Sequence, residues 1–294
     1  MQKAERTALI SLPIVILVGL GFAWAGSQNG ARVNGVPIYA LAVGGAFAIQ
    51  WLAFIPAWLM QSERFYDLTG SLTYITVAVL ATVLSPAPDA RSIVLLVVVA
   101  IWALRLGIYL ARRVHRAGKD VRFDELKRSL PRFLLAWTMQ GLWVTFTLAA
   151  ALAAMTSTVR PEIGLVALLG GIIWLFGFTI EAAADLQKSR FRADPGNSGR
   201  FIHSGLWAWS RHPNYFGEIV LWVGVAIIAL PVLQGWQYVT LVSPVFVTVL
   251  LTRISGVPLL ERRADEKWGG QEDYEAYKAR TPVLIPRPPS GKAR

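Results

Sequence analysis

The sequence predicts an all-α, polytopic integral membrane protein: a helix bundle of seven or eight transmembrane helices, read as a single domain over residues 1–294. Three observations carry that prediction. Apolar residues make up 54% of the chain and charged residues only 16%, where a soluble domain carries about 25% charge. Mean hydropathy is +0.47. The apolar residues also gather into stretches of roughly 17–23 residues, each long enough to cross a hydrocarbon layer of about 30 Å. A soluble enzyme is excluded, and so is a disordered chain.

In order, the apolar segments fall at about 8–25, 37–59, 68–84, 92–111, 133–155, 162–184, 215–232 and 236–252. Lys3 and Arg6 before the first segment, with Ala23-Trp24-Ala25 after it, also fit a cleavable signal peptide. The third segment gives seven spans instead of eight if it is shallow or broken. A short seam at Gly235 joins the last two as a hairpin. With eight crossings both ends of the chain share a side. Basic residues then divide 25 against 3, with Arg105 left inside a span. That bias puts the long loops and the C-terminus in the cytoplasm, most simply at a bacterial inner membrane. Gly44-Gly45 and Gly170-Gly171 suit close helix packing, and Pro282, Pro286, Pro288 and Pro289 make a non-helical end.

Cysteine is absent and there are three histidines, His115, His203 and His212. This removes disulfides, thiolate nucleophiles and Cys-ligated metals, and no metal site is expected.

Function in a membrane protein tends to show in its costly residues, because an ionisable group inside a span needs a cavity, a partner or an interface. Glu181 and Asp185 lie one turn apart near the end of the sixth span. Glu218 follows Asn214 by one turn at the start of the seventh. Asp67 opens the third span, with Tyr74 two turns on and on the same face. Arg105 has Trp102 and Tyr109 on its face. Beside these run two basic stretches: Arg112-Arg113-Val114-His115-Arg116, then Lys188, Arg190, Arg192, Arg200 and Ser210-Arg211-His212-Pro213-Asn214-Tyr215. Such loops often meet lipid headgroups. Arginine also matches phosphate bidentately, and Phe201, Trp207, Trp209 and Tyr215 are placed to stack on a nucleobase. The turn-rich run Asp194-Pro195-Gly196-Asn197-Ser198-Gly199 can fold over a ligand. No dinucleotide fingerprint or Walker sequence is present, so a nucleotide would be held by helix ends and loops.

Arg211-His212-Pro213-Asn214-Tyr215-Phe216-Gly217-Glu218, with Gly205-Leu206-Trp207 before it and Tyr274, Tyr277, Arg280-Thr281-Pro282 and Leu284-Ile285-Pro286 after it, resembles the C-terminal domain of the steroid 5α-reductase family, and its bacterial multi-pass members most. The resemblance covers about residues 100–286 and extends loosely to the segment from Glu63 to Ser71. A shorter Arg-His-Pro-x-Tyr-x-Gly signature also occurs in membrane methyltransferases.

The resemblance implies NADPH-dependent reduction of the C=C bond of a lipophilic enone such as a 3-oxo-Δ4-steroid. Negative charge developing on the ketone oxygen then needs an aimed donor, and a carboxylic acid kept neutral or a Tyr hydroxyl can be that donor. An arginine-rich site favours NADPH over NADH, because the extra phosphate needs cations. By the same resemblance Asn214 and Glu218 bind the nicotinamide amide and adjoining atoms. Asp185 and Glu181 lie in the cofactor pocket, Arg192 and Arg200 at its adenosine-phosphate end, and Arg113 and Arg116 also face the cofactor. Tyr274 and Tyr277 fall in the matching tail. Arg105, Trp209, Arg211, His212 and Tyr215 complete the expected cofactor set. The family's ketone-gripping Glu and Tyr are not matched. Trp102 holds the position of that Tyr, and the replacements are Asp67, Glu63, Tyr66 and Tyr74, with Asp67 as the acid and Tyr74 beside it. The expected partners are a steroid-like enone and membrane lipid, with no nucleic acid. The alternative is a methyltransferase using S-adenosylmethionine on a lipid or prenylated substrate, whose cofactor carries no phosphate for the arginines.

Overall fold

A computed structural model describes residues 3–117 and 123–289, and the side chains of all of these except 112–117. The protein is an all-α polytopic membrane helix bundle, with eight helical segments long and apolar enough to cross a bilayer. The main helices are α1 (Lys3–Gly26), α2 (Ile38–Leu59), α3 (Tyr66–Leu84), α4 (Ala90–Ala117), α5 (Leu130–Met155), α6 (Leu165–Ala193), α7 (Pro213–Ala229) and α8 (Val242–Val249). Two short amphipathic helices follow, α9 (Val257–Trp268) and α10 (Glu272–Arg280). The third segment is one unbroken helix, which removes the seven-span option that a break there would have required. Three helices outrun their apolar cores. The first begins at Lys3, α4 runs on to Ala117, and α6 continues past 184 to Ala193, because charged residues can extend a helix beyond the hydrocarbon. The eighth segment is composite: a 3₁₀ stretch, α8 and a π-helical turn at Leu250–Ile254.

By its contacts the chain divides into two compact units, residues 1–167 with 226–243 and residues 168–225 with 244–294.

In the first unit α5 is the central helix. Of its most apolar window 67% is buried, against 28–39% for α1 to α4. The reason is its alanine-rich end, Ala149 to Ala154, which lets neighbouring backbones approach closely. Phe47 of α2 lies against Gly141, and Phe22 of α1 packs on Phe146 with ring centroids 4.5 Å apart. Between α1 and α2 an Asn34-Gly35 turn, both residues at positive φ, joins the two-residue strands β1 (Arg32–Val33) and β2 (Val36–Pro37). This is the twist that a two-residue hairpin requires.

Of the three basic residues expected on the sparsely charged side (Arg32, Arg91 and Arg160), Arg91 and Arg160 are tied up in the first unit. Arg91 is buried and donates to the carbonyls of Pro161, Glu162 and Ile228. Arg160 donates to Ser85 Oγ and lies 3.5 Å from Asp89. Burial alone would raise the Asp89 pKa. Hydrogen bonds from Ser92 and the charges of Arg160 and Arg91 outweigh it and hold that carboxyl below its usual value.

In the second unit α6 and α7 run antiparallel with their backbones touching. A Cβ on Gly217 would stand 2.6 Å from both the Gly177 carbonyl oxygen and the Glu181 nitrogen, and one on Gly224 would stand 2.6 Å from the Gly170 oxygen. Only glycine fits such a crossing. Of the glycine pairs expected to serve packing, Gly170 does so, whereas Gly44 and Gly171 face open space.

Candidate functional site

The glycine crossing fixes where the acidic residues of the second unit lie. Glu181 and Asp185 are buried, at 2% and 5% exposure, and the Glu181 backbone touches Gly217, next in sequence to half-buried Glu218. Asn214 is one turn earlier on α7, and its side-chain oxygen is buried with no hydrogen-bond partner among the described residues. The expected quartet Glu181, Asp185, Asn214 and Glu218 thus belongs to one helix pair.

One turn beyond Asp185, α6 enters a cavity of about 350 Å³. Lys188, Arg192, Arg200, Arg211, Arg263 and Lys267 line it, with Glu261 as the one carboxylate among its lining residues. Phe191, Phe201, Trp207, Trp268, Tyr274 and Tyr277 add aromatic surface. The walls are held by specific bonds. Trp207 donates from Nε1 to the Ala184 carbonyl and lies under Lys188 Nζ, 4.3 Å from its ring centroid. Its own carbonyl accepts from Tyr277 Oη at 2.8 Å. Gln187 Oε1 accepts from Leu206 N, fixing the turn that presents Trp207. Across the cavity Trp268 Nε1 donates to the Gly199 carbonyl, and Phe201 meets Trp268 and Tyr274 edge to face. The C-terminal strand of chain closes the wall: Arg211 N donates to Pro282 O, and Ser210 Oγ to Leu284 O.

Glu261 is the electrostatic pin of this wall. Its Oε1 is 2.7 Å from His212 Nε2 and its Oε2 is 3.0 Å from Arg211. Burial lowers the His212 pKa and outweighs Glu261, which would raise it, so the ring favours its neutral form. Burial likewise raises the hydroxyl pKa of Tyr274, with Asp265 adding to it through a 2.8 Å hydrogen bond, and raises that of Tyr277. Both are hydroxyl donors at any physiological pH.

Arg192, Arg200, Arg211, His212, Tyr274 and Tyr277 of the expected set therefore line one cavity. Tyr215 stacks parallel on His212 at 5.6 Å, one step behind the wall. Trp209 is exposed, and its carbonyl anchors Arg287. The side chains of Arg113 and Arg116 lie outside the described residues. Arg105 is half-buried on α4, in the first unit.

The expected catalytic residues also fall in the first unit. Tyr74 and Trp102 meet edge to face at 5.1 Å, and half-buried Asp67 lies on the same helix as Tyr74. Glu63 is buried and paired with Lys127 Nζ at 2.5 Å. Tyr66 Oη donates to the Ala136 carbonyl within a cluster of Phe54, Phe123, Phe133 and Trp137.

Sequence reasoning missed Glu261, Arg263, Lys267 and Trp268. For Glu261 and Trp268 a signal was readable: with Ala264 and Asp265 they follow an i, i+3, i+4, i+7 spacing that puts them on one helical face.

Residues 53–281 match the family described as "Protein of unknown function (DUF1295)". The 3-oxo-5-alpha-steroid 4-dehydrogenase 1 of Bos taurus is 31% identical over 40% of this chain and 41% of its own length, and the Rattus norvegicus protein of that name is 31% identical over 40% of each. A Delta(14)-sterol reductase of Methylotuvimicrobium alcaliphilum is 28% identical over 55% of this chain and 39% of its own. The matched region thus spans about two fifths of the length of these curated relatives. No solved structure matches the chain.

Proposed function

The chain belongs to the DUF1295 family and is related to the steroid 5α-reductases, and on that premise we propose that it is an NADPH-dependent membrane reductase of a C=C bond in a lipophilic enone. A 3-oxo-Δ4-steroid, reduced to the 5α 3-oxosteroid, is the simplest substrate. The names of the relatives share a steroid or sterol nucleus, and two of the three name the 3-oxo steroid.

The observation that carries the reading is the cavity with six cations and a single carboxylate, walled by stacking rings. That donor set suits a phosphate-bearing nucleotide. The size suits the adenosine-phosphate end of a dinucleotide, not the whole of it. Arg192, Arg200, Arg263 and Lys267 would take the phosphates, while Phe201 and Trp268 offer flat surface to the base. Glu181, Asp185, Asn214 and Glu218 would hold the nicotinamide end, the unsatisfied Asn214 oxygen accepting an amide N–H. Bound there, NADPH would supply a hydride. The remaining tasks fall to the chain: Asp67 and Tyr74 donate hydrogen bonds to the ketone oxygen, Trp102 sets the Tyr74 ring, and Glu63 and Tyr66 fix the start of α3. The basic loops are read as cytoplasmic, at a bacterial inner membrane. S-adenosylmethionine carries no phosphate, so it would leave the arginine-rich wall unused for the chemistry it suits best.

The test is incubation of the purified protein in lipid nanodiscs with NADPH deuterated at the transferable position and a panel of enones. The product should gain two hydrogens, one of them deuterium. Unchanged enones, or a methyl-group gain seen only with S-adenosylmethionine, would overturn the reading.

A further inference from the structure

Of the cations at the cavity, Arg211 is held by Glu261 and Lys188 lies over Trp207. Arg192, Arg200, Arg263 and Lys267 are exposed at the rim and have no ion-pair partner among the described residues. They come from two walls. Arg192 and Arg200 lie on the end of α6 and the turn after it, and Arg263 and Lys267 lie one turn apart on α9. Like charges that face one space repel, so the walls need a tether to stay in register.

A hydrogen bond supplies one. Trp268, the last residue of α9, donates from Nε1 to the Gly199 carbonyl at 2.6 Å. That carbonyl belongs to the peptide leading into Arg200. On the other side of Arg200, the Phe201 ring meets Trp268 at 5.8 Å and Tyr274 at 5.3 Å. Two adjacent contacts thus fix the Arg200 backbone while its guanidinium has no partner among the described residues. Gly199 makes the aim possible. Its φ is +78°, and a Cβ there would meet open space, so backbone shape and not crowding calls for glycine. On α9, Lys267 Nζ lies 4.6 Å from the Trp268 ring centroid, so the same indole also restrains a cation of the second wall.

We propose that Trp268 is the positioning residue of this rim: its indole N–H fixes Arg200 across from Arg263 and Lys267, so that a phosphate monoester is gripped from both walls. In the nucleotide reading of the cavity, on which this inference rests, that group is the extra phosphate by which NADPH differs from NADH. A monoester suits the arrangement because its three free oxygens accept from both sides at once. The role is separate from stacking on the base, since stacking uses the ring face and the tether uses the N–H.

The test is binding to the full chain in nanodiscs, with NADPH, NADH and 2′,5′-ADP as probes. Trp268→Phe keeps a ring and deletes the donor. It should weaken NADPH and 2′,5′-ADP about three- to tenfold and leave NADH within about twofold. In ¹⁵N spectra of the tryptophan-labelled chain, the indole signal that this variant removes should exchange its proton with water more slowly once 2′,5′-ADP is bound. Gly199→Ala strains the turn and re-aims the carbonyl while keeping the indole. It should give the same selective loss, and it carries the test if Trp268→Phe fails to fold. An equal loss for NADPH and NADH, no loss in either variant, or an indole exchange rate that bound 2′,5′-ADP leaves unchanged overturns the inference alone. If the unaltered protein binds neither NADPH nor 2′,5′-ADP, the nucleotide reading of the cavity falls and takes this inference with it.

Discussion

Gly177 on α6 and Gly217 on α7 meet backbone to backbone, so closely that a methyl group on Gly217 would stand 2.6 Å from the Gly177 carbonyl oxygen. The contact has a chemical consequence. Glu181 lies one turn from Gly177 and Glu218 directly follows Gly217, so the backbones that carry these two acids are held against one another. A carboxylate in such surroundings needs partners, and in the proposed site a cofactor's amide and hydroxyl groups would add to those the protein supplies.

Gly217→Ala should therefore force α6 and α7 apart. Thermal unfolding in detergent should show a loss of about 1–3 kcal/mol, typical of overpacking, together with a clear loss of NADPH affinity. Gly171→Ala, facing open space on the same helix, should leave both unchanged.

Glu218→Ala should abolish NADPH-dependent enone reduction in a protein that still folds. The side chain is half-buried beside the glycine crossing, so its loss removes a polar contact without opening a core void. Full activity in this variant, measured by product formation, would contradict the assignment.

Asp67 and Glu63 should separate catalysis from stability. Asp67→Asn should lower kcat with little change in unfolding temperature. Lys127→Ala should take a cation from the buried Glu63 carboxylate and lower the unfolding temperature, while Lys127→Met with Glu63→Gln should cost less. Equal effects of the two sites on kcat would contradict the division.

The pH dependence has two windows. The buried His212 ring binds its proton less readily than in the unfolded chain, so between its usual pKa of about 6.5 and its lower folded value the unfolded state holds more protons. Stability should fall as pH drops below about 6.5, and His212→Gln should remove that slope. Asp89 is the acid counterpart: the stability its lowered pKa confers is complete above about pH 4 and is lost as pH falls through the folded value. Asp89→Asn should flatten unfolding temperature below that point.

Much of the bundle is legible in the sequence because the bilayer demands apolar length, and all eight segments appear where hydropathy puts them. The placing of Glu181, Asp185 and Glu218 on one helix pair was legible for the same reason, since charge inside a span is costly. What escaped was whatever depends on contacts between distant stretches. Glu261 reads as one more charge in a polar tail until α9 brings it to His212, 49 residues earlier in the chain. Glu63 and Tyr66 read as candidates for chemistry, yet their partners Lys127 and Ala136 are some 64 and 70 residues away. The Asn34-Gly35 turn is a local signal masked by the long helices on either side.

The affinity of the purified protein for NADPH against NADH, by calorimetry in nanodiscs, tests the central claim most directly. Six cations around one carboxylate predict that NADPH binds at least about tenfold more tightly, and that Arg192→Ala with Arg200→Ala erases the difference while sparing NADH. Equal affinities for the two dinucleotides in the unaltered protein would contradict the account.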